Sequence, residues 1–153
     1  VQKIRPCLWF DNQAREAAEF YVSVFGGDSR IEDITYWNEG SPQAGSVLTV
    51  DFVLAGQEYL GLNGGPEFTF SEAVSLSVDC ADQQEVDTLW AKLTEGGEEG
   101  MCGWLKDRYG LSWQIVPRAL PELLGDPDKA KADRVMKAMM GMRKLDVQAL
   151  RDA

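Results

Sequence analysis

The sequence predicts an α+β fold made of two paired β-α-β-β-β units, with helices added at the C-terminal end. Three observations predict it. A degenerate repeat links LWFDNQAREAAEFYVSVFGG, from Leu8, to LSVDCADQQEVDTLWAKLTEGG, from Leu76. Strand-like runs fill the interval between the two helix-like stretches and follow the second. Beyond the last of them, from about residue 118, the apolar spacing becomes helical.

Each copy of the repeat reads as a strand ending in Asp, then an amphipathic helix, then a Gly-Gly pair. Asp11 matches Asp79, Tyr21 matches Trp90, and Gly26-Gly27 match Gly96-Gly97. In the first helix Ala14, Ala17, Ala18, Tyr21, Val24 and Phe25 follow the i, i+3, i+4, i+7 rule, with Asp11 or Asn12 as the cap. In the second, Val86, Leu89, Trp90 and Leu93 form the stripe, and Asp82 with Glu85 reads as a capping box. The Gly-Gly pairs are expected to end both helices, because glycine accepts the left-handed conformation at little cost.

Between the helices, strands are expected over 29–36, 46–54 and 58–63, with Ala55-Gly56 turning between the last two. After the second helix come a short run near Cys102 to Lys106 and a clear strand over 111–116. Gly64 to Thr69 reads as the connection between the halves. In the tail, Asp126 followed by Pro127 is expected to cap a helix with the stripe Ala132, Val135, Met136 and Met139. Met136, Met139, Met140 and Met142 read as core filler or interface. Asp146 is expected to cap a last helix, stapled by Leu145 and Leu150. The whole, 1–153, is expected to be a single domain: unit one about 1–65, unit two about 66–117 and a helical tail about 118–153.

The formal net charge is −10. Phosphate neutralisation supplies much of the affinity for nucleic acid, and the basic residues here are scattered among acids, so nucleic-acid and anionic-membrane partners are excluded. No apolar run approaches the ~20 residues of a membrane helix. The opening VQKIRPCLWF has no signal-peptide pattern, and three cysteines make a poor disulfide framework. A cytoplasmic chain with reduced thiols is the expectation.

Alternation sorts the strand faces. Leu8 and Phe10, Leu76 and Val78, Leu60 and Leu62, and Trp113 and Ile115 are assigned to the helices. The opposite faces are expected to wall a concave pocket between the units, carrying Arg5, Cys7 and Trp9, then Tyr59, Gly61 and Asn63, then Ser75 and Ser77, then Ser112 and Gln114. Hydrogen-bonding groups beside aromatic ones suit a small-molecule ligand. The competing reading is that these residues face solvent or satisfy one another.

LWFDNQAREAAEFYVSVFGG, EYLGLNGGPEF, CGWLKDRYGLSWQIVP and RVMKAMMGMRKLD together resemble the PhnB-like branch of the vicinal oxygen chelate superfamily, a branch often labelled 3-demethylubiquinone methyltransferase. The resemblance covers nearly the whole chain. It implies the glyoxalase and bleomycin-resistance architecture, a cup-shaped mixed sheet and a homodimer. It also implies metal-ligand positions near Arg5, near Ala73 or Ser75, at Gly61, and at Gln114 where the metalloenzymes carry Glu. None of these is a good ligand, and the chain has no His. A catalytic zinc wants three N, O or S protein ligands, so no metal and no cofactor are expected. The methyltransferase label finds no glycine-rich turn opening a helix after a parallel strand.

Cys102 and Asp51 are the remaining catalytic candidates. A reactive thiol at Cys102 needs a lowered pKa, and without His the usual base is missing. Its alternative is a small buried apolar residue. Asp51 as a general base needs burial or a second carboxylate. Asp107, in LKDRYG, reads as a turn former. Three functions follow: a small-molecule-binding protein without the superfamily's metal, a metal-independent enzyme acting on a small carbonyl or phosphonate-like substrate, or a structural or regulatory homodimer with a vestigial cavity.

Overall fold

The structure is a computed structural model that describes residues 2–153. It divides into two compact units, 1–69 and 70–153. In the first, β1 (Cys7–Phe10) leads into α1 (Ala14–Phe25), followed by β2 (Arg30–Tyr36), β3 (Val47–Leu54) and β4 (Gln57–Asn63). The strands lie in the order β1-β4-β3-β2, with β1 parallel to β4 and the other pairs antiparallel. In the second, β5 (Ser75–Cys80) leads into α2 (Gln83–Thr94), then β6 (Glu98–Glu99), β7 (Trp104–Lys106) and β8 (Ser112–Pro117). Their order, β5-β8-β7-β6, repeats the first sheet's topology. Three helices follow: α3 (Ala119–Leu124), α4 (Lys129–Met140) and α5 (Val147–Asp152).

The helices bury the expected stripes. Ala14, Ala17, Ala18, Tyr21 and Val24 are buried along α1, and Val86, Leu89, Trp90 and Leu93 along α2. Small alanines let α1 lie close to its sheet. There Tyr21 meets Phe52 at 6.4 Å between ring centroids, and Phe52 stacks on Tyr59 at 5.4 Å. Asp82 caps α2 by accepting from the Glu85 N–H at 2.9 Å, while the Glu85 carboxylate reaches back to the Ala81 N–H at 2.9 Å. The Ala55-Gly56 turn has both residues at positive φ, +47° and +84°, as a tight two-residue hairpin requires.

Three expectations need correction. Neither Asp11 nor Asn12 caps α1. The cap comes from β4, where Asn63 Oδ1 accepts from the Ala14 N–H at 2.9 Å while its Nδ2 donates to the Val47 carbonyl. Asn63→Ala is therefore expected to cost about 1–2 kcal/mol by urea denaturation, as for a lost helix cap. The Gly-Gly pairs follow both helices as expected, with Gly26, Gly27 and Gly96 at positive φ, and differ in their second glycine. Gly26 and Gly27 are both left-handed at φ +56°, whereas Gly97 is required because a Cβ there would lie 2.1 Å from the Lys106 carbonyl oxygen. In the tail, Asp128 and not Asp126 caps α4, Met136 points outward at 44% exposure, and Ala138 takes the inward place. Finally, β6 escaped the sequence reading because two exposed glutamates carry no apolar pattern, while α3 falls within the expected helical tail.

Leu145 and Leu150 are fully buried across the start of α5, with Val135 and Leu120, and Met139 and Met142 pack against this cluster. Gln83 fastens the tail to the start of α2, donating to the Leu145 carbonyl and accepting from the Val147 N–H. Cys80 is fully buried at the end of β5, and desolvation, reinforced by nearby Glu85 and Asp79, pushes its thiol up to about 12. The folded thiol thus holds its proton between pH 9.0 and about 12 while the unfolded one loses it, so this group makes stability fall as pH rises through that window. The expected result is a declining urea midpoint above pH 9.0 that is flattened in Cys80→Ala.

Candidate functional site

Each sheet has one face against its own helix and one face free of it. Strand register decides which residues occupy the helix-free face. On the first sheet, Cys7 pairs with Leu60, Trp9 with Leu62, Asp51 with Leu60, and Thr49 with Leu62. Paired residues share a face, so Cys7, Trp9, Thr49, Asp51, Leu60 and Leu62 lie together.

This corrects the assignment of β4. Tyr59, Gly61 and Asn63 face α1, not the helix-free side. Tyr59 stacks on core Phe52, Asn63 caps α1, and a Cβ at Gly61 would stand 3.3 Å from the Ala14 Cβ. The physical reason is the close approach of α1. The run Leu-Gly-Leu reads as leucines toward the helix, but the helix needs the glycine beneath it, and the leucines go to the other face. Leu60 and Leu62 are therefore residues of the helix-free face that alternation alone missed; the glycine between them was the available signal. Burial raises the Tyr59 hydroxyl above its ordinary value, so it is a neutral core group.

Arg5 lies just before β1 and pairs with Asp51 at 3.3 Å, both side chains about one-third exposed, 33% and 34%. The pair brings two predicted residues together and gives the Asp51 carboxylate a cation, while Asp33 is its cross-strand partner on β2. Half-buried Trp9 donates its indole N–H to the Gly65 carbonyl at 2.9 Å and meets Phe68 edge-on at 5.0 Å. Cys7 is exposed, and partial desolvation raises its thiol, with Arg5 opposing. The first unit thus offers an apolar floor, one aromatic wall and one ion pair.

On the second sheet the alternation reads correctly. Ser75 pairs with Ser112, Ser77 with Gln114, Gln114 with Trp104, and Ser112 with Lys106, all on the helix-free face. Gln114 Nε2 donates to Ser75 Oγ at 3.0 Å. Lys106 forms an ion pair with Glu72, whose hydrogen bond raises the ammonium's pKa and lowers the carboxyl's, so both stay charged at neutral pH. Ser112 is 1% exposed, and its hydroxyl is the buried side-chain polar atom left without a hydrogen-bond partner among the described residues. It lines a cleft of about 270 Å³ with Trp104, Lys106, Glu72 and Glu98. Trp104 was not singled out from the sequence.

Cys102 stands apart from these faces, at the turn before β7. Its backbone is left-handed, φ +60°, and its N–H donates to the Met142 carbonyl at 2.7 Å. Its place is accounted for by the turn and the tail that it fastens. A larger cleft, about 710 Å³, lies in the first unit beside the start of α1, lined by Asp11, Asn12, Glu16, Trp37 and neighbours. It was not anticipated.

A metal of the kind the superfamily uses does not fit these residues. Gly61 is turned to α1, Ser75 and Gln114 bond each other, and Arg5 is a cation. Among the described residues no three His, Cys, Asp or Glu side chains are grouped to hold a metal ion. No helix is long and apolar enough to cross a membrane among those described.

A family model described as 3-demethylubiquinone-9 3-methyltransferase matches residues 2–116. Among solved structures, a PhnB protein from Bacillus cereus bearing the same methyltransferase description is 37% identical, covering 76% of this chain and 99% of its own, with a TM-score of 0.69. Protein PA1353 from Pseudomonas aeruginosa is 21% identical, covering 76% of this chain and 98% of its own, with a TM-score of 0.65. FosX, a fosfomycin resistance protein from Listeria monocytogenes solved with Mn(II) and sulfate, is 14% identical, covering 73% and 88%, with a TM-score of 0.54. At their identities the last two establish the fold alone. No curated protein matches.

Proposed function

This chain belongs to the 3-demethylubiquinone-9 3-methyltransferase (PhnB-like) family, of vicinal oxygen chelate fold, and on that premise we propose that it is a small-molecule-binding protein that uses the helix-free faces of its two sheets without a metal. The observation that carries the proposal is the placement of Leu60 and Leu62 on that face beside Trp9 and the Arg5–Asp51 pair. Leucines and an indole on the sheet face away from the helix, beside an ion pair and hydroxyl groups, have the mixed composition of a ligand-binding surface. Ser75, Ser77, Ser112 and Gln114 supply neutral hydrogen-bonding groups on the second sheet. A homodimer in a reducing cytoplasm belongs to the same reading, two-fold dimers being the commonest assembly.

Methyl transfer of the doubly wound kind draws no support from the geometry. Its cofactor needs a glycine-rich turn between a parallel strand and the following helix. Here those turns are Asp11 to Gln13, Ala81-Asp82 and Arg118, and none contains glycine.

A thermal-shift screen with small aromatic compounds tests the proposal. A ligand at a hundred times its dissociation constant stabilises by about 2.7 kcal/mol, a rise of roughly 5–10 °C for a chain of this size. Leu62→Glu is expected to abolish that rise, and chelators are expected to leave it unchanged. A screen with no stabilising compound, or a rise that requires added metal, contradicts the proposal.

A further inference from the structure

We propose that the cleft at Ser112 is a subsite for a neutral, ring-sized group carrying an amide or hydroxyl, which stacks on Trp104 and takes its hydrogen bond from Ser112. The inference rests on the small-molecule reading above and adds the chemistry that one part of the site selects. It starts from the Ser112 hydroxyl, 1% exposed and without a partner at the cleft. Leaving a buried hydroxyl unpaired is costly, and such a group needs an explanation that a ligand atom supplies.

Register places the neighbours. Ser75 flanks Ser112 on β5 and Lys106 flanks it on β7, while Gln114, two residues on, is flanked by Ser77 and Trp104. The cleft's volume, about 270 Å³, falls just below the range of whole-ligand pockets, so it takes one ring and its substituent. Charge then selects among rings. Three carboxylates, Glu72, Glu98 and Glu99, line the cleft against the single ammonium of Lys106, which disfavours an anion. Lys106 is the cross-strand neighbour of Ser112 on the same face, which disfavours a second cation beside the unpaired hydroxyl. Glu72 already neutralises Lys106, and Glu99 already accepts from the Trp90 indole at 2.7 Å. A neutral group meets neither repulsion and uses the atom that the protein leaves unpaired.

The test is an amide and indole N–H chemical-shift titration of the full chain with benzamide, benzoate and benzylamine in parallel. Benzamide is expected to shift the Trp104 indole and the Ser112 to Gln114 amides, and the two charged rings are expected to shift them less. Ser112→Ala is expected to stay folded, since it removes an unpartnered group, and to weaken benzamide about tenfold, the loss of one hydrogen bond. Stronger shifts with benzoate or benzylamine, or an unchanged benzamide affinity in Ser112→Ala, overturn the inference. If probes move only the Trp9 indole and the Leu60 and Leu62 amides, this subsite fails and the broader binding reading stands. If no probe moves either face, both fall.

Discussion

Asp107→Ala is expected to destabilise the chain by about 3–5 kcal/mol, from three hydrogen bonds lost at a buried site. The carboxylate is 2% exposed. Oδ1 accepts from the Tyr109 N–H at 2.8 Å and the Leu111 N–H at 3.1 Å, and Oδ2 accepts from the Trp113 indole N–H at 2.8 Å. Alanine strands all three donors, and Trp113 is itself 2% exposed, so water does not replace its partner. Asparagine keeps one acceptor oxygen but presents an NH₂ group to a donor, and about half the loss is expected. Trp113→Phe in the alanine background should recover part of the deficit, because it removes one stranded donor. Urea denaturation of the four proteins measures this. A single-variant loss below about 1 kcal/mol would mean that the turn reorganises to find other partners. The turn also matters to the site, since it sets β7 against β8 and so places Trp104, Lys106 and Ser112.

Gly97→Ala is expected to cost about 3 kcal/mol or more, as severe overpacking does. The new Cβ would stand 2.1 Å from the Lys106 carbonyl oxygen, 2.8 Å from the Asp107 carbonyl carbon and 3.0 Å from the Asp107 Cα. All three are backbone atoms, so no rotamer change relieves the clash, and β6 must move off β7. Gly27→Ala provides the contrast. Its φ is +56° with nothing within 4 Å of the new Cβ, and only the left-handed penalty of about 1–2 kcal/mol applies. Thermal unfolding of the two variants should separate the mechanisms. Equal losses would show that the clash is absorbed locally.

The fold was legible because its signals are local. Helical stripes, a capping box at Asp82 and the repeated Gly-Gly pairs all act within a few residues. The faces of β1, β5 and β8 were legible for the same reason, as each carries a plain alternation. The face of β4 was not. Its side chains are sorted by how closely α1 approaches, and that distance depends on Ala14 in another element. The α1 cap was missed because its donor and acceptor, Ala14 and Asn63, are separated by 49 residues. The helix-free faces were therefore half legible. The serines and Gln114 were placed on their face by pattern, Arg5 and Asp51 were both named but not as a pair, and placing Leu60, Leu62 and Trp104 needed the register of the sheets. Asp107 was correctly read as a turn former, while its bond to the Trp113 indole was beyond any local rule.

Native mass spectrometry of the protein, purified gently from the cells that express it, tests the central claim most directly, because subunit count, metal and retained small molecules appear together. The predicted result is a dimer that carries a discrete organic mass and no stoichiometric metal, with the organic mass lost in Leu62→Glu. A stoichiometric metal ion would contradict the claim. It would mean that carboxylates or thiols assemble a site that the helix-free faces do not display, and metal-dependent chemistry would take the place of metal-free binding.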